Sequence, residues 1–186
     1  MSAQAAQDGQ PQLAAPGRPT LLSGCARAAT AAEARYRISY PGGFAQRSSR
    51  VIALGAQAAR AVRELGGQAW DGGHFLVFES AVPDDALLRR VGGGDTALLS
   101  EELDGADAVV LVASAGASAE AASVIGDAAA ARGIMSAGLV LPGGDPAGVP
   151  AAAPAGVVAA LRPNAMVLVV LRDAADVPEV LSALRV

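Results

Sequence analysis

The chain has 186 residues, a formal net charge of −4 and 52% hydrophobic residues, but only 3% of its residues are aromatic. All of its basic residues are arginines, and an acidic chain with so few aromatic side chains is a poor candidate for nucleic-acid binding. One cysteine and one histidine exclude an intramolecular disulfide framework and a Cys/His zinc site. Because no apolar run approaches the ~20 residues of a membrane helix, we expect a cytoplasmic protein with no metal, cofactor, membrane or nucleic-acid partner.

Residues 1–48 are rich in alanine, proline and glycine and show no sustained periodicity. This composition predicts a flexible basic arm before an α/β domain at residues 49–186. Within the arm, the alternation in "ARYRISYPGG" (34–43) predicts an edge strand that ends at Pro41. The excess of arginine over acidic residues indicates either a solvated tail or a segment that contacts an acidic partner.

From residue 50 onwards, short apolar runs alternate with amphipathic segments. Strands are predicted at 50–55, 74–78, 106–114, 134–144 and 165–171. Helices are predicted at 56–67, 118–133, 156–163 and 176–186, with one or two short helices at 82–105. This alternation predicts right-handed crossovers, and hence a three-layer, Rossmann-like α/β domain with a mainly parallel sheet of about five strands.

The turn "SAGASAE" (114–120) is the first candidate for a binding site, because ligands of such folds bind beyond the carboxyl ends of strands. Ser114, Gly116 and Ser118 would place hydroxyl and backbone N–H groups at the start of a helix, an arrangement that binds phosphate. The alternative is that the small residues only permit a tight turn and that Ser118 caps the helix.

Two further turns supply candidate ligand-binding residues. The turn "LGAQAAR" (54–60) retains only Gly55 of a dinucleotide-binding G-x-G-x-x-G pattern, and alanine methyl groups stand where a pyrophosphate would approach. The loop "VGGGDT" (91–96) would bring Gly93 and Asp95 to a ligand, or would serve as a connector that breaks a helix. No serine, histidine and acidic residue form a recognisable catalytic pattern, so the catalytic residues stay unassigned.

Two segments, "LDGADAVVLVAS" and "AASVIGDAAAARGIMSAGLVLPGG", resemble the strand, helix and next strand around the glycine-rich signature of the tubulin/FtsZ GTPases. The resemblance spans residues 50–184 and is most specific at 103–144. The family's Gly-Gly-Gly-Thr-Gly-Thr-Gly loop is replaced by "SAGASAE", with Gly116 as its only glycine, and we expect no long central helix or second domain. The resemblance therefore implies an FtsZ-like domain without GTP hydrolysis that acts through protein–protein contacts, in a homo-oligomer or with another protein.

The same turn is also similar to the Ser-x-Ser-Gly-x-Thr-x-Glu phosphate turn of sugar isomerase (SIS) domains, in which hydroxyl groups hold a sugar phosphate. Ala115 replaces the second serine of that pattern, and the turn after the first strand lacks the serine that the family also uses. This similarity implies the alternative function, which is a small-molecule-binding protein or enzyme that holds a phosphorylated sugar or a nucleotide at residues 114–120.

Overall fold

The structure is a computed structural model that describes residues 48–70, 72–144, 150–151, 154–184 and 186. The predicted basic arm, with its edge strand at 34–43, lies outside these residues except for Ser48. Every element described below belongs to the structural unit Gln46–Val186.

The described residues form an α/β domain. Its strands are β1 Ser49–Leu54, β2 Gly73–Val82, β3 Asp85–Arg90, β4 Thr96–Leu98, β5 Ala108–Ala113, β6 Met135–Val140, β7 Gly143–Gly144, β8 Pro150–Ala151 and β9 Val167–Val170. Its helices are α1 Ala56–Gly66, α2 Leu99–Leu103, α3 Ala119–Ala131, α4 Ala155–Leu161 and α5 Val177–Leu184, with a 3-10 turn at Ala174–Asp176. Seven strands form one sheet in the order β4-β3-β2-β1-β5-β6-β9, and β7 pairs with β8 separately.

Helices cover both faces of the sheet because its central strands are apolar on both sides. On one face, α2, α3 and α4 pack against a cluster that includes Ile52 and Leu111. On the other face, α1 and α5 pack against a cluster that includes Val51 and Val112. All six residues of β5, "AVVLVA", are buried, which is the pattern of a parallel strand covered on both faces. The prediction of an α/β domain with a mainly parallel sheet is therefore confirmed.

The sheet has seven strands rather than about five, because the helices predicted at 82–105 are wrong for most of that segment. β2 and β3 form an antiparallel hairpin, with Val82 opposite Asp85, and β3 pairs antiparallel with β4. Ala86 and Leu88 are fully buried at a spacing of two, which is the period of a strand with one buried face. Only Leu99–Leu103 is helical, so the sheet is mixed, with β3 and β4 antiparallel to their neighbours.

Among the residues that the structure describes, no helix combines the length and the apolar character that crossing a membrane requires.

Candidate functional site

β1 and β5 are neighbours in the sheet, and the chain continues from these two strands in opposite directions across the sheet. The chain passes from β1 to β2 on one side, and from β5 to β6 on the other side. In open α/β sheets, ligands commonly bind in the crevice at the carboxyl ends of two such strands. Since β1 ends at Leu54 and β5 ends at Ala113, the predicted site residues Gly55 and Ser114 flank this point.

Gly55 and Ser114 approach each other closely between the two strand ends. Gly55 has a φ of +96°, and a Cβ added to it would lie 2.7 Å from Ser114 Oγ. Ser114 is fully buried, and its hydroxyl accepts a hydrogen bond of 3.2 Å from the backbone N–H of Ala58. The hydroxyl therefore satisfies an amide in the first turn of α1, which has no partner within that helix. It is engaged inside the protein rather than turned towards solvent.

Gly116 and Ser118 lie at the same edge of the sheet and are exposed. Gly116 has a φ of +82°, which glycine adopts readily. Ser118 is the N-cap of α3, and its hydroxyl accepts from the backbone N–H of Ala121 at 3.3 Å. Glu120 lies in the first turn, where its carboxylate meets the positive end of the helix dipole that an anionic ligand would also use. The predicted capping role of Ser118 is thus confirmed.

Gly93 and Asp95 do not join the other four predicted residues. The β2–β3 hairpin returns the chain to the amino edge of the parallel strands, as the hydrogen bond from Val91 N to Phe75 O shows. There the glycine loop borders a pocket of about 430 Å³ that is lined by Arg63, Val77, Arg89 and residues 90–94. Asp95 itself pairs with Arg90 at 2.6 Å, and this charged hydrogen bond lowers the pKa of Asp95. The six predicted residues therefore occupy two opposite edges of the sheet.

A buried ion network at the amino edge was not predicted from the sequence. Its centre is Glu102 of α2, whose side chain is 3% exposed. Glu102 Oε1 accepts from Arg90 Nε at 2.6 Å, and Oε2 lies 3.3 Å from His74 Nδ1 and 3.4 Å from Arg50 Nε. One carboxylate therefore connects α2 to the amino ends of β1 and β2 and to the carboxyl end of β3.

Arg50 is held on three sides in this network. Its side chain is 6% exposed, and it donates to the carbonyl of Glu102, to Ser48 Oγ at 2.8 Å and to the carbonyl of Asp104 at 3.5 Å. Burial lowers the pKa of Arg50, although the nearby carboxylates of Glu102 and Asp107 oppose this effect. Each nitrogen of the guanidinium group thus donates a hydrogen bond within the protein. This arrangement indicates that Arg50 stabilises the fold. A charged residue directly before the apolar run of β1, residues 51–54, was the one sequence signal for it.

A second pocket, of about 380 Å³, lies where α2 and α3 approach the β2–β3 turn. It is lined by Asp84, Asp85, Leu99, Ser100, Val124, Asp127, Ala128 and Arg132. Burial by itself would raise the pKa of Asp85, but hydrogen bonds from Ser100 Oγ, Ala86 N and Ser100 N, together with the nearby charge of Arg132, outweigh it and lower the pKa. In the part of the chain that the structure describes, no group of three or more His, Cys, Asp or Glu side chains is placed to hold a metal ion.

The edge strand β9 and the residue that precedes it, Met166, carry the most exposed large apolar side chains of the described residues. Met166 is 76% exposed, Val167 is 46% exposed and Val170 is 50% exposed. One side of β9 pairs with β6, and no described strand pairs with its other side. An apolar strand with an open backbone edge is a template for pairing with another polypeptide. The sequence predicted this strand as one more core strand and gave no indication of its exposure.

No family model, no curated protein and no solved structure matches the chain.

Proposed function

We propose that this domain acts through protein–protein contacts, as a scaffold, assembly or regulatory domain, and that an extended polypeptide pairs with its β9 edge. The observation that carries the proposal is the exposure of Met166, Val167 and Val170 beside an open strand edge. Strand addition suits such a surface, because main-chain hydrogen bonds supply affinity and alternate side chains supply specificity.

The hydrogen bond that the Ser114 hydroxyl accepts inside the protein supports this proposal over phosphate binding. At the point where an α/β fold ordinarily receives its ligand, Ser114 contacts Gly55 and bonds to the first turn of α1. The likeness of residues 103–144 to the tubulin/FtsZ family stays a prediction, and the proposal does not depend on it.

The alternative is a protein that holds a sugar phosphate or a nucleotide at residues 114–120. One observation favours it: Gly116 and Ser118 are exposed at the start of α3, a helix of 13 residues. Backbone N–H groups at such a helix end attract anions. Glu120, in the first turn of the helix, opposes an anion at this position.

A site-specific photo-crosslinker in place of Met166, in the full chain and in the cells that produce it, tests the proposal. We expect a covalent product with a defined polypeptide, identified by mass spectrometry of the linked peptides. The matched control has the crosslinker in place of Thr96, an exposed residue of the opposite edge strand β4, and should give no such product. Equal products from the two positions, or none from Met166, would contradict the proposal.

Thermal-shift measurements with GTP and with sugar phosphates test the alternative. A ligand at a hundredfold its dissociation constant adds about 2.7 kcal/mol of stability. We expect no shift. Stabilisation by either compound that Ser118→Ala abolishes would establish the alternative and count against the interaction role.

A further inference from the structure

The two edges of the sheet differ in how they resist pairing. β4 is three residues long, and the adjacent β3 carries an ion pair between Arg89 and Glu79 at 2.8 Å. Short edge strands and charged side chains are the usual protection against edge-to-edge association. β9 is also short, at four residues, but it lacks the protection by charged side chains, because no charged residue occurs between Arg162 and Arg172. Of the two edges, β9 is therefore the one suited to a partner.

From this asymmetry we infer that β9 pairs antiparallel with β9 of a second copy of the chain, about a twofold axis that passes near Leu168. The inference rests on the proposed function and names its partner. A twofold contact uses the same patch on both copies and closes the assembly, so neither open β9 edge remains. The two seven-stranded sheets become one continuous sheet across the contact.

The exposed side chains match each other in this register. With Leu168 at the axis, Val167 of one copy lies opposite Val169 of the other. Met166 immediately precedes β9, and its backbone N–H bonds to the carbonyl of Ser136 in β6, so it extends the strand and lies opposite Val170 of the other copy. Directly opposed residues of antiparallel strands have Cα atoms about 4.5–5.5 Å apart, so these side chains pack against each other. Met166 and Val170, the two most exposed side chains of this surface at 76% and 50%, thereby pack against each other at two symmetry-related places in the contact.

The charges at the two ends of β9 favour the antiparallel orientation. Arg162 precedes the strand and is exposed, and its side chain has no hydrogen-bond or ion-pair partner among the described residues, although its backbone N–H donates to the carbonyl of Val158. Arg172, Asp173 and Asp176 follow the strand and are exposed, so one positive and two negative charges give this end a net charge of −1. Antiparallel pairing brings the amino end of β9, which Arg162 precedes, close to the negatively charged carboxyl end of β9 in the other copy, at both ends of the contact. Parallel pairing would instead bring like charges together, which is unfavourable.

Disulfide trapping of the full chain tests both the contact and its register. Met166 and Val170 are replaced together by cysteine, with Cys25→Ser so that no other thiol is present. Residues four apart on one strand are separated by about 13 Å, beyond the ~7 Å limit for a disulfide between Cα atoms. A disulfide in this variant therefore joins two copies, and mild oxidation should give a covalent dimer linked from position 166 to position 170.

The single variants Met166→Cys and Val170→Cys are the matched controls. In the inferred register, each new thiol is about 13 Å from its own counterpart in the second copy, so neither variant should form a covalent dimer. Circular dichroism spectra identical to that of the unmodified chain show that the variants are folded. Equal dimer yields from the single and double variants, or no disulfide in the double variant, would overturn the inference.

Sedimentation of charge variants gives a second measurement. Arg162→Glu should weaken dimerisation about tenfold, because symmetry repeats the lost contact at both ends. Combining it with Asp176→Arg should restore most of the affinity of the original chain. A chain that stays monomeric at all accessible concentrations would overturn the inference. If the crosslinker at Met166 then captures a different, identified polypeptide, the proposed function stands and only the second copy is excluded as its partner.

Discussion

Replacing Glu102 by glutamine isolates the contribution of one buried charge to the stability of the domain. Glutamine retains the size of the side chain and one carbonyl oxygen, so the substitution removes the negative charge with little change in packing. The carboxylate contacts Arg90, His74 and Arg50, which lie on three different strands. We therefore expect the substitution to weaken the attachment of α2 to the sheet and to leave the two apolar clusters intact.

The expected cost is about 3 kcal/mol. At 3.4 Å from Arg50 Nε, with an effective dielectric constant of about 20, the gross attraction of the two charges is about 5 kcal/mol before desolvation. Breaking a buried ion pair from one side costs roughly 3–5 kcal/mol, since a buried charge loses its partner. The lower end of that range applies here, because Arg50 retains hydrogen bonds to the Glu102 carbonyl and to Ser48 Oγ, and Arg90 retains Asp95.

Urea denaturation monitored by circular dichroism measures this cost. With a slope of about 2 kcal/mol per molar urea, the midpoint should fall by about 1.5 M without a change in slope. The matched control is Glu101→Gln. Glu101 is an exposed neighbour on the same helix, and among the described residues its carboxylate accepts a hydrogen bond only from the backbone N–H of Leu98, at 3.4 Å. We expect the control to cost less than about 1 kcal/mol. Equal losses from the two variants would refute the reasoning that burial, rather than charge alone, gives Glu102 its role.

Three further predictions concern the rest of the domain. Gly55→Ala should destabilise the domain by more than about 1 kcal/mol, because the new Cβ would lie 2.7 Å from Ser114 Oγ and the residue has a φ of +96°. The control Gly105→Ala has a φ of +71° and open space around it, so it should show backbone strain alone and a smaller loss of stability. Leu111→Ala should cost about 2–5 kcal/mol in the same urea assay, because Leu111 is fully buried in β5. For Asp85, the folded state has the lower pKa, so its stabilisation is complete above the unfolded value of about 3.9 and is lost as the pH falls through the folded value.

Each of these predictions has an outcome that contradicts it. Equal losses from the two glycine variants would show that the contact with Ser114 is unimportant. A loss below about 1 kcal/mol for Leu111→Ala would contradict the burial of β5 on the face that α2, α3 and α4 cover. The difference in unfolding free energy between the unmodified chain and Asp85→Asn should shrink as the pH is lowered from about 5 to about 2, and a constant difference would show that the hydrogen bonds to Asp85 do not favour its charged form.

Local patterns in the sequence were sufficient to place most of the helices and parallel strands. The apolar run of β5 and the N-cap at Ser118 followed from hydrophobic periodicity and capping preferences, which depend on neighbouring residues along the chain. The hairpin of β2 and β3 did not follow, because six residues such as "DALLRR" in β3 are too short to separate a helical period from a period of two. Its strand character arises from pairing with β2, a tertiary interaction.

The candidate sites required the tertiary structure for a related reason. Arg50 and Glu102 are 52 residues apart in the chain, and nothing local to either residue indicates that they meet. Gly55 and Ser114 were both predicted at the carboxyl edge, but only the packing of α1 against β5 shows that they contact each other. In the same way, the apolar residues of β9 read as a core strand, since a strand has the same composition whether it lies at the centre or at the edge. The sequence determined most of the helices and the parallel strands, because these depend on local patterns. The tertiary structure decided the β2–β3 hairpin and, through the order of the strands, which apolar side chains are left exposed.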